Sequence, residues 1–303
     1  MNNLNGFQGE TEARRHAGQV LQPTRFGEAI NQYLAATGYP DPYATVGQHA
    51  GTAPADTGQQ TSGLVVVGVD DSAISCIAVD HAAIEAALHS WALRLVNVRR
   101  SASDEAGVAL LRRLLARVQA SAPEVAAVAR IAVGSDTSEA LLAEAGDADL
   151  VVVGHHQGAA ASVVGLSVAG RVARNHTRPL LIVRMPGWPA EFGARPLMVA
   201  VDGSPASRKS VQFALDEARV RGCDVTLLHL IGSGTDLARR HEILGGVTVR
   251  HRILGGDPVN ALVEASDAAA AMVIAQHGLS APLLEMAARV LPQKALCPVF
   301  LVG

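Results

Sequence analysis

Two groups of residues in this 303-residue chain have the types and spacing to do chemistry. The first is Asp70-Asp71-Ser72, which follows the apolar run Leu64 to Val69. The second lies between Asp149 and Arg184, where the β-branched run Leu150 to Val153 ends in Gly154. Small residues follow through Gly158 and Gly165, and Ser167 then precedes the helical stretch Val168 to Asn175. A helix start preceded by small residues offers free backbone N–H groups and a partial positive charge, which suits a phosphate. A carboxylate at a strand end points into the crevice where open α/β sheets take ligands. The same residues also read as turns and helix caps with no ligand. On the residues alone both readings stay open.

Other arrangements fail on their missing partners. Gly165-Leu166-Ser167-Val168-Ala169 is close to a nucleophile elbow, but a hydrolase needs an Asp and a His on later strand ends. His229 ends a strand, and no partner acid follows it in that order. His155 and His156 have only His81, His89 or His277 as remote companions, with no HxH, HExxH or Cys/His cluster. They read as solvated loop histidines, and no metal is expected beyond magnesium carried by a nucleotide. Neither GxGxxG nor GxxxxGK[ST] follows any strand. Arg112, Arg113 and Arg117 read as the solvated face of a helix.

The elements that must position these residues follow from periodicity. From Leu64 onward, short apolar runs alternate with helical segments: a helix at Ala73 to Ser90, a strand at Trp91 to Val98, a helix at Asp104 to Ala120, a strand at Val125 to Val133 and a helix at Thr137 to Ala145. That order implies right-handed βαβ crossovers and a parallel sheet. It then begins again. VGVDDS (Val67 to Ser72) returns as VAVDGS (Val199 to Ser204), Gly134-Ser135-Asp136 as Gly255-Gly256-Asp257, and Leu180 to Val183 as Val299 to Val302. Two tandem copies of one α/β unit result. The spacing between equivalent positions shrinks along the chain, which places one deletion around the second helix of the later copy and a smaller one in its loop.

The predicted domains are 64–184 and 197–303, joined by a Pro- and Gly-rich linker at 185–196. Residues 1–63 are rich in Asn, Gln, Gly, Thr and Pro and read as a mostly disordered extension. One helix is expected within it, with Phe26, Ile30, Tyr33 and Leu34 on a face that needs a partner, either the body or another protein.

Composition narrows the function. Hydrophobic residues make up 49% and aromatics only 3%, as in parallel sheets built from Val, Leu, Ile and Ala. A net charge of −3 argues against nucleic acid as a partner. Cys76, Cys223 and Cys297 form no CxxC pair and read as small buried residues in a reducing compartment. With no secretory signal at the start and no stretch suited to spanning a membrane, a cytoplasmic protein is expected.

Here the residues resemble a known family. VAVDGSPASRKSVQFALDEARVRGCDVTLLHL (Val199 to Leu230), GGDPVNALVEAS (Gly255 to Ser266) and CPVFLV (Cys297 to Val302) look like a universal stress protein domain. VGVDDS, GSDTSEALL and DADLVVVG give the earlier copy a looser match. The resemblance implies two tandem doubly wound five-stranded parallel-sheet domains of the adenine-nucleotide α-hydrolase-like kind, packed as a pseudo-dimer. It implies that the last strands pair across the interface, Leu180 to Val183 against Val299 to Val302. A further homodimer is also compatible with the family.

Members of the family divide into those that bind ATP and those that do not, and binders share a loop pattern G-x2-G-x9-G-[S/T] after the fourth strand. In the earlier copy Gly154 matches the first glycine and Ser167 the hydroxyl, but Gln157 stands where the second glycine is expected, which is displaced to Gly158. Leu166 precedes Ser167, with Gly165 one position earlier. Asp70 and Asp202 match the residue that contacts adenine. The resemblance thus assigns nucleotide contacts to Val69, Asp70, Asp71, Ser72, Val98, Gly154, Gly158, Gly165, Ser167 and Val168, with no catalytic residues. The later copy has Ala275 at the first glycine and Glu285-Met286 at the Gly-Ser position, keeping only Gly278. Losing two charge-assisted donors at roughly 1.5–3 kcal/mol each weakens binding by about two to four decades. ATP is expected in the earlier copy alone, in a stress protein that senses or regulates rather than catalyses. The alternative is a non-binding member that works through protein contacts.

Overall fold

A computed structural model describes residues 24–36, 62–155, 167–184, 191–230, 241–276 and 282–303. Helix α1 (Arg25–Ala36) comes first. The first half then runs β1 (Leu64–Val69), α2 (Ala73–His89), β2 (Ala92–Arg99), α3 (Glu105–Ser121), β3 (Ala127–Val133), α4 (Thr137–Glu144), β4 (Leu150–Gly154), α5 (Val168–Asn175) and β5 (Leu180–Val183). The second half runs β6 (Leu197–Val201), α6 (Pro205–Arg221), β7 (Val225–His229), β8 (His241–Leu244), β9 (Val247–Ile253), α7 (Pro258–Ala265), β10 (Ala271–Ala275), α8 (Pro282–Lys294) and β11 (Val299–Val302).

The described strands lie in one sheet, ordered β3-β2-β1-β4-β5-β11-β10-β6-β7-β9-β8. Within each half the strands of the βαβ units are parallel, with β1 between β2 and β4 and β6 between β7 and β10. The halves join where β5 meets β11 antiparallel, Leu181 opposite Phe300, which is the pairing the sequence resemblance implies. Strand interiors such as Val65, Val66 and Val67 are fully buried, as expected for β-branched runs covered on both faces. Helix starts are fixed by side chains: Asp104 accepts from the Gly107 N–H, Asp136 from Ser138 and Glu139, and Asp257 from Asn260. Gly222, at φ +69°, ends α6 in the left-handed conformation that glycine adopts without strain.

Three features depart from, or go beyond, the sequence reading. The second half has a sixth strand: β8 pairs antiparallel with β9 as an outer hairpin, in the region where the deletion was inferred. Its tight turn uses Gly245 and Gly246, both at positive φ. Arg117 is not part of a solvated face. Its guanidinium clamps the buried Asp80, with Nε 2.6 Å from Oδ1 and Nη2 2.8 Å from Oδ2. The Tyr33 hydroxyl donates to the same carboxylate, and burial together with Asp80 pushes that phenol well above its usual range.

Tyr33 belongs to α1, so the apolar face of α1 finds its partner in the body: Phe26, Ile30 and Tyr33 are buried. Gly27 of α1 meets Gly193 so closely that a Cβ on Gly193 would lie 2.3 Å from the Gly27 Cα. Backbone cannot yield there as a flexible side chain would. Gly193→Ala is therefore expected to unseat α1, measured as faster limited proteolysis within residues 24–36 while the rest of the chain stays protected. Unchanged cleavage would mean that α1 is not held at this contact.

The faces of the two halves meet in a buried charge cluster. Arg221 of α6 is 1% exposed and donates to Glu85 of α2 and Glu217 of α6, while His89 of α2 lies 3.1 Å from Glu217. The Arg221 guanidinium also covers the Phe26 ring at 4.3 Å.

Candidate functional site

The register brings the candidate residues to one edge. Val69 pairs with Asn97 on β2, which sets Asp70 beside Val98, and Gly68 pairs with Val153 on β4, which sets Val69 and Asp70 beside Gly154. This is the C-terminal edge of a parallel sheet at the point where the strand order reverses. Ser167 caps α5, its Oγ accepting from the Gly170 N–H at 3.0 Å. The Val168 and Ala169 N–H groups, first in the helix, have no acceptor within it. Gly158 and Gly165 lie outside the described residues, as does His156.

Side chains at this edge are already occupied in part. Asp70 Oδ1 accepts from the Ser72 N–H at 2.9 Å and from the Ser75 hydroxyl at 2.7 Å, and the Ser72 hydroxyl also donates to it. The Asp70 carboxylate thus shapes the start of α2. Asp71 pairs with Arg99 at 2.7 Å, and Arg99 Nε donates to the Asn97 side-chain oxygen at 2.6 Å. Buried Asn97 in turn donates to the Val69 carbonyl at 2.7 Å. A Cβ on Gly154 would meet Ile74 at 2.9 Å, so the bare backbone here is used by packing from α2. The surface over Gly154 is thus shared with Ile74.

The second half repeats the turn and carries different residues at the ends of its fourth-strand connection. Asp202 Oδ1 accepts from the Ser204 N–H at 2.9 Å, as Asp70 does from Ser72. Ala275 closes β10 where Gly154 closes β4, and Glu285 with Met286 stands exposed on α8. Gly278 lies outside the described residues.

One arrangement escaped the sequence reading. His229, at the end of β7, has partners: its Nε2 lies 3.0 Å from His251 Nδ1, and His251 Nε2 lies 3.0 Å from Glu242 Oε1. The acid sits on β8, so the order expected for a hydrolase gave no sign of it; the alternation in β9 was the available signal. Burial and His251 hold the His229 imidazole below its usual range.

Among the described residues, Glu85, His89 and Glu217 are the one set whose donor atoms approach as a metal site would. Arg221 already bridges the two carboxylates, and a protonated His89 makes the four groups neutral. Burial opposes charge on His89, but the hydrogen bond and charge of Glu217 outweigh it and raise its pKa. The cluster is thus balanced without a metal. Among the described residues no helix is long and apolar enough to cross a membrane.

Comparison with known proteins places these features in a wider set. The model of the Usp, or universal stress protein, family matches residues 63–184 and 193–243. The universal stress protein Rv1996 of Mycobacterium tuberculosis is 29% identical over 203 residues, covering 56% of this chain and 63% of that protein. A universal stress protein of Mycolicibacterium smegmatis is 27% identical over 185 residues, covering 55% of this chain and 63% of its own. The chain thus spans less than two thirds of the curated relatives it matches. A crystal structure of a universal stress protein from Archaeoglobus fulgidus covers 79% of this chain and 98% of its own length, with a TM-score of 0.61 at 16% identity, which shows a shared fold.

Proposed function

Because the chain belongs to the universal stress protein family, we propose that it binds an adenine nucleotide, ATP, at the C-terminal sheet edge of its first half, and acts as a sensor or regulator. The observation that carries this is the Ser167-capped start of α5, which shares a cavity wall with His155 just past the end of β4. The leading N–H groups of the helix and its dipole suit the phosphates, and the Ser167 hydroxyl hydrogen remains to donate. Val69 and Val98 supply apolar contact for a base, with Asp70 and Asp71-Ser72 at its polar edge. Gly158 and Gly165 complete the proposed loop. Magnesium would accompany the phosphates, held by them rather than by a dedicated protein cage. The chain would act by binding rather than turnover, within the domains proposed at 64–184 and 197–303, and in the cytoplasm.

The test has two parts: identify any adenine nucleotide released on denaturing the purified protein, then titrate ATP by calorimetry. Ser167→Ala is expected to weaken ATP binding about 10-fold through one lost charge-assisted bond, whereas Met286→Ala leaves it unchanged. Equal effects would move the site to the other half, and no heat at high micromolar ATP would remove the proposal. A second reading, a stress protein that works through protein contacts without nucleotide, is favoured by Ile74 over Gly154 and by the capping duty of Asp70.

A further inference from the structure

Between α6 and β7 of the second half lies a cavity of about 250 Å³. Val201, Val211 and Leu227 form its apolar wall, and Arg208, Gln212 and His229 add polar groups. In the first half the matching place is filled. Asn97 stands where His229 stands, each opposite the last residue of the neighbouring first strand, and Asp80 stands where Gln212 stands. Helix α3 covers both: Arg117 grips Asp80, and a Cβ on Gly107 would lie 2.9 Å from the Asn97 side-chain oxygen. Between β7 and β9 the described residues form β8 instead of a helix. The cavity is thus the room that α3 takes in the first half, open in the second and walled by a histidine. Its size lies below the roughly 300–1,000 Å³ of drug-sized sites and suits a ligand of few heavy atoms.

His229 is the cavity end of a proton chain. A carboxylate only accepts, so His251 Nε2 donates to Glu242. His251 Nδ1 then carries a lone pair and accepts from His229 Nε2–H, which leaves a lone pair on His229 Nδ1. That nitrogen has no hydrogen-bond partner among the described residues. A proton taken up there can pass inward, so that the imidazolium comes to rest on His251 against Glu242. The groups packed around His229 suit this. β9 brings His251, β8 Glu242 and α6 Arg208, while β6 places the uncharged Val201 opposite, and Asp202 beyond it is turned onto the Ser204 N–H. Arg252 lies opposite Leu228 and so alternates to the other face. Among the described residues that line the cavity there is one permanent cation, Arg208, and no carboxylate. We propose that this cavity binds a short aliphatic carboxylate, its alkyl body on Val201, Val211 and Leu227, its carboxylate between Arg208 and His229, with one proton taken up by the chain of histidines. The ligand arrives as the anion and the proton comes from solvent. That proton adds to His229 Nδ1, the His229 Nε2 proton passes to His251 Nδ1, and no other bond changes. None of the first-half residues assigned to ATP lines this cavity, so the proposal stands apart from the nucleotide reading.

The probe is isobutyrate, titrated calorimetrically into the full chain at pH 6.5 in two buffers of unlike ionisation enthalpy, PIPES and Bis-Tris. Saturation at one equivalent is expected, with close to one proton taken up per ligand. Affinity is expected to rise at least 10-fold from pH 8 to pH 6, a range in which isobutyrate stays ionised. His229→Asn, the change to the residue of the first half, is expected to weaken binding at least 10-fold and to flatten the pH slope. Glu242→Gln leaves the lining intact and is expected to flatten the slope as well, since an imidazolium at His251 loses its counter-charge. Arg208→Gln is expected to weaken binding about 10-fold with the slope retained. Isobutyramide, the same body without the charge, is expected to bind at least 10-fold more weakly. Circular dichroism and thermal melting identify a variant that misfolds, and the remaining variants then read the result. A native chain that gives no saturable heat at about 20 mM isobutyrate overturns the proposal, as does proton uptake near zero. So does a native pH slope in both His229→Asn and Glu242→Gln, or equal affinity for isobutyramide, because the charge would then play no part.

Discussion

Replacing Arg221 with methionine is expected to cost about 3–5 kcal/mol of folding free energy, read from the shift of the urea midpoint at constant slope. The length of the side chain is kept and its charge removed. Glu85 and Glu217, 1% and 6% exposed, are then left buried together without their cation. Burial already pushes the Glu85 carboxyl above its usual range even with Arg221 beside it, and Glu85 Oε2 has no hydrogen-bond partner in the described structure. The same change removes the guanidinium from the Phe26 ring and loosens α1 from the joint. Adding Glu85→Gln and Glu217→Gln to Arg221→Met should recover much of the loss, because the penalty comes from stranded charge rather than from a strong net attraction. A single-variant loss below 1 kcal/mol would mean that water reaches the cluster and that the halves are not held together by it.

Acid should weaken this fold by a second route, through His81. Burial, and after it the charge of Arg221, hold the His81 pKa down to about 3. In the unfolded chain a histidine titrates near 6.5. Between those values the unfolded state binds the proton and the folded state does not, so stability is intact above pH 6.5, falls as the pH drops towards 3 and levels off below. The full span is worth up to about 5 kcal/mol at 1.36 kcal/mol per pH unit. His89, two helical turns along α2, has the opposite slope. Its folded pKa is raised, so its contribution is complete below 6.5 and is lost as the pH rises through the raised value. Urea midpoints at pH 7 and pH 4.5 check the first effect: over that interval the native chain should lose about 2.5 kcal/mol more than His81→Gln. Equal losses would show that His81 is protonated without cost in the folded state.

The site lies between what pattern reveals and what contact decides. Asp70 and Gly154 were legible as strand ends and Ser167 as a helix cap, because such positions leave local signatures, and the register of β1 with β4 brings Asp70 and Gly154 to one edge. Ile74 over Gly154 was not legible, because a residue 80 positions earlier supplies the contact. The same holds for Arg117, whose spacing with Arg112 and Arg113 gave a polar helix face but whose partner Asp80 sits on another helix.

The sequence by itself determined the alternation of strands and helices, the repeated order of the two copies and the Ser167 cap of α5, while the pairing of the two last strands came from the family resemblance. The first three are set by local periodicity and by short-range hydrogen bonds, which neighbouring residues encode. Tertiary structure alone decided which charges would be buried together, that α1 would cover the joint, that β8 would add an edge strand, and that α5 and α8 would stand apart over a cavity. Those outcomes depend on side chains far apart in the chain meeting in a low-dielectric interior, where desolvation and packing, rather than local propensity, set the energy.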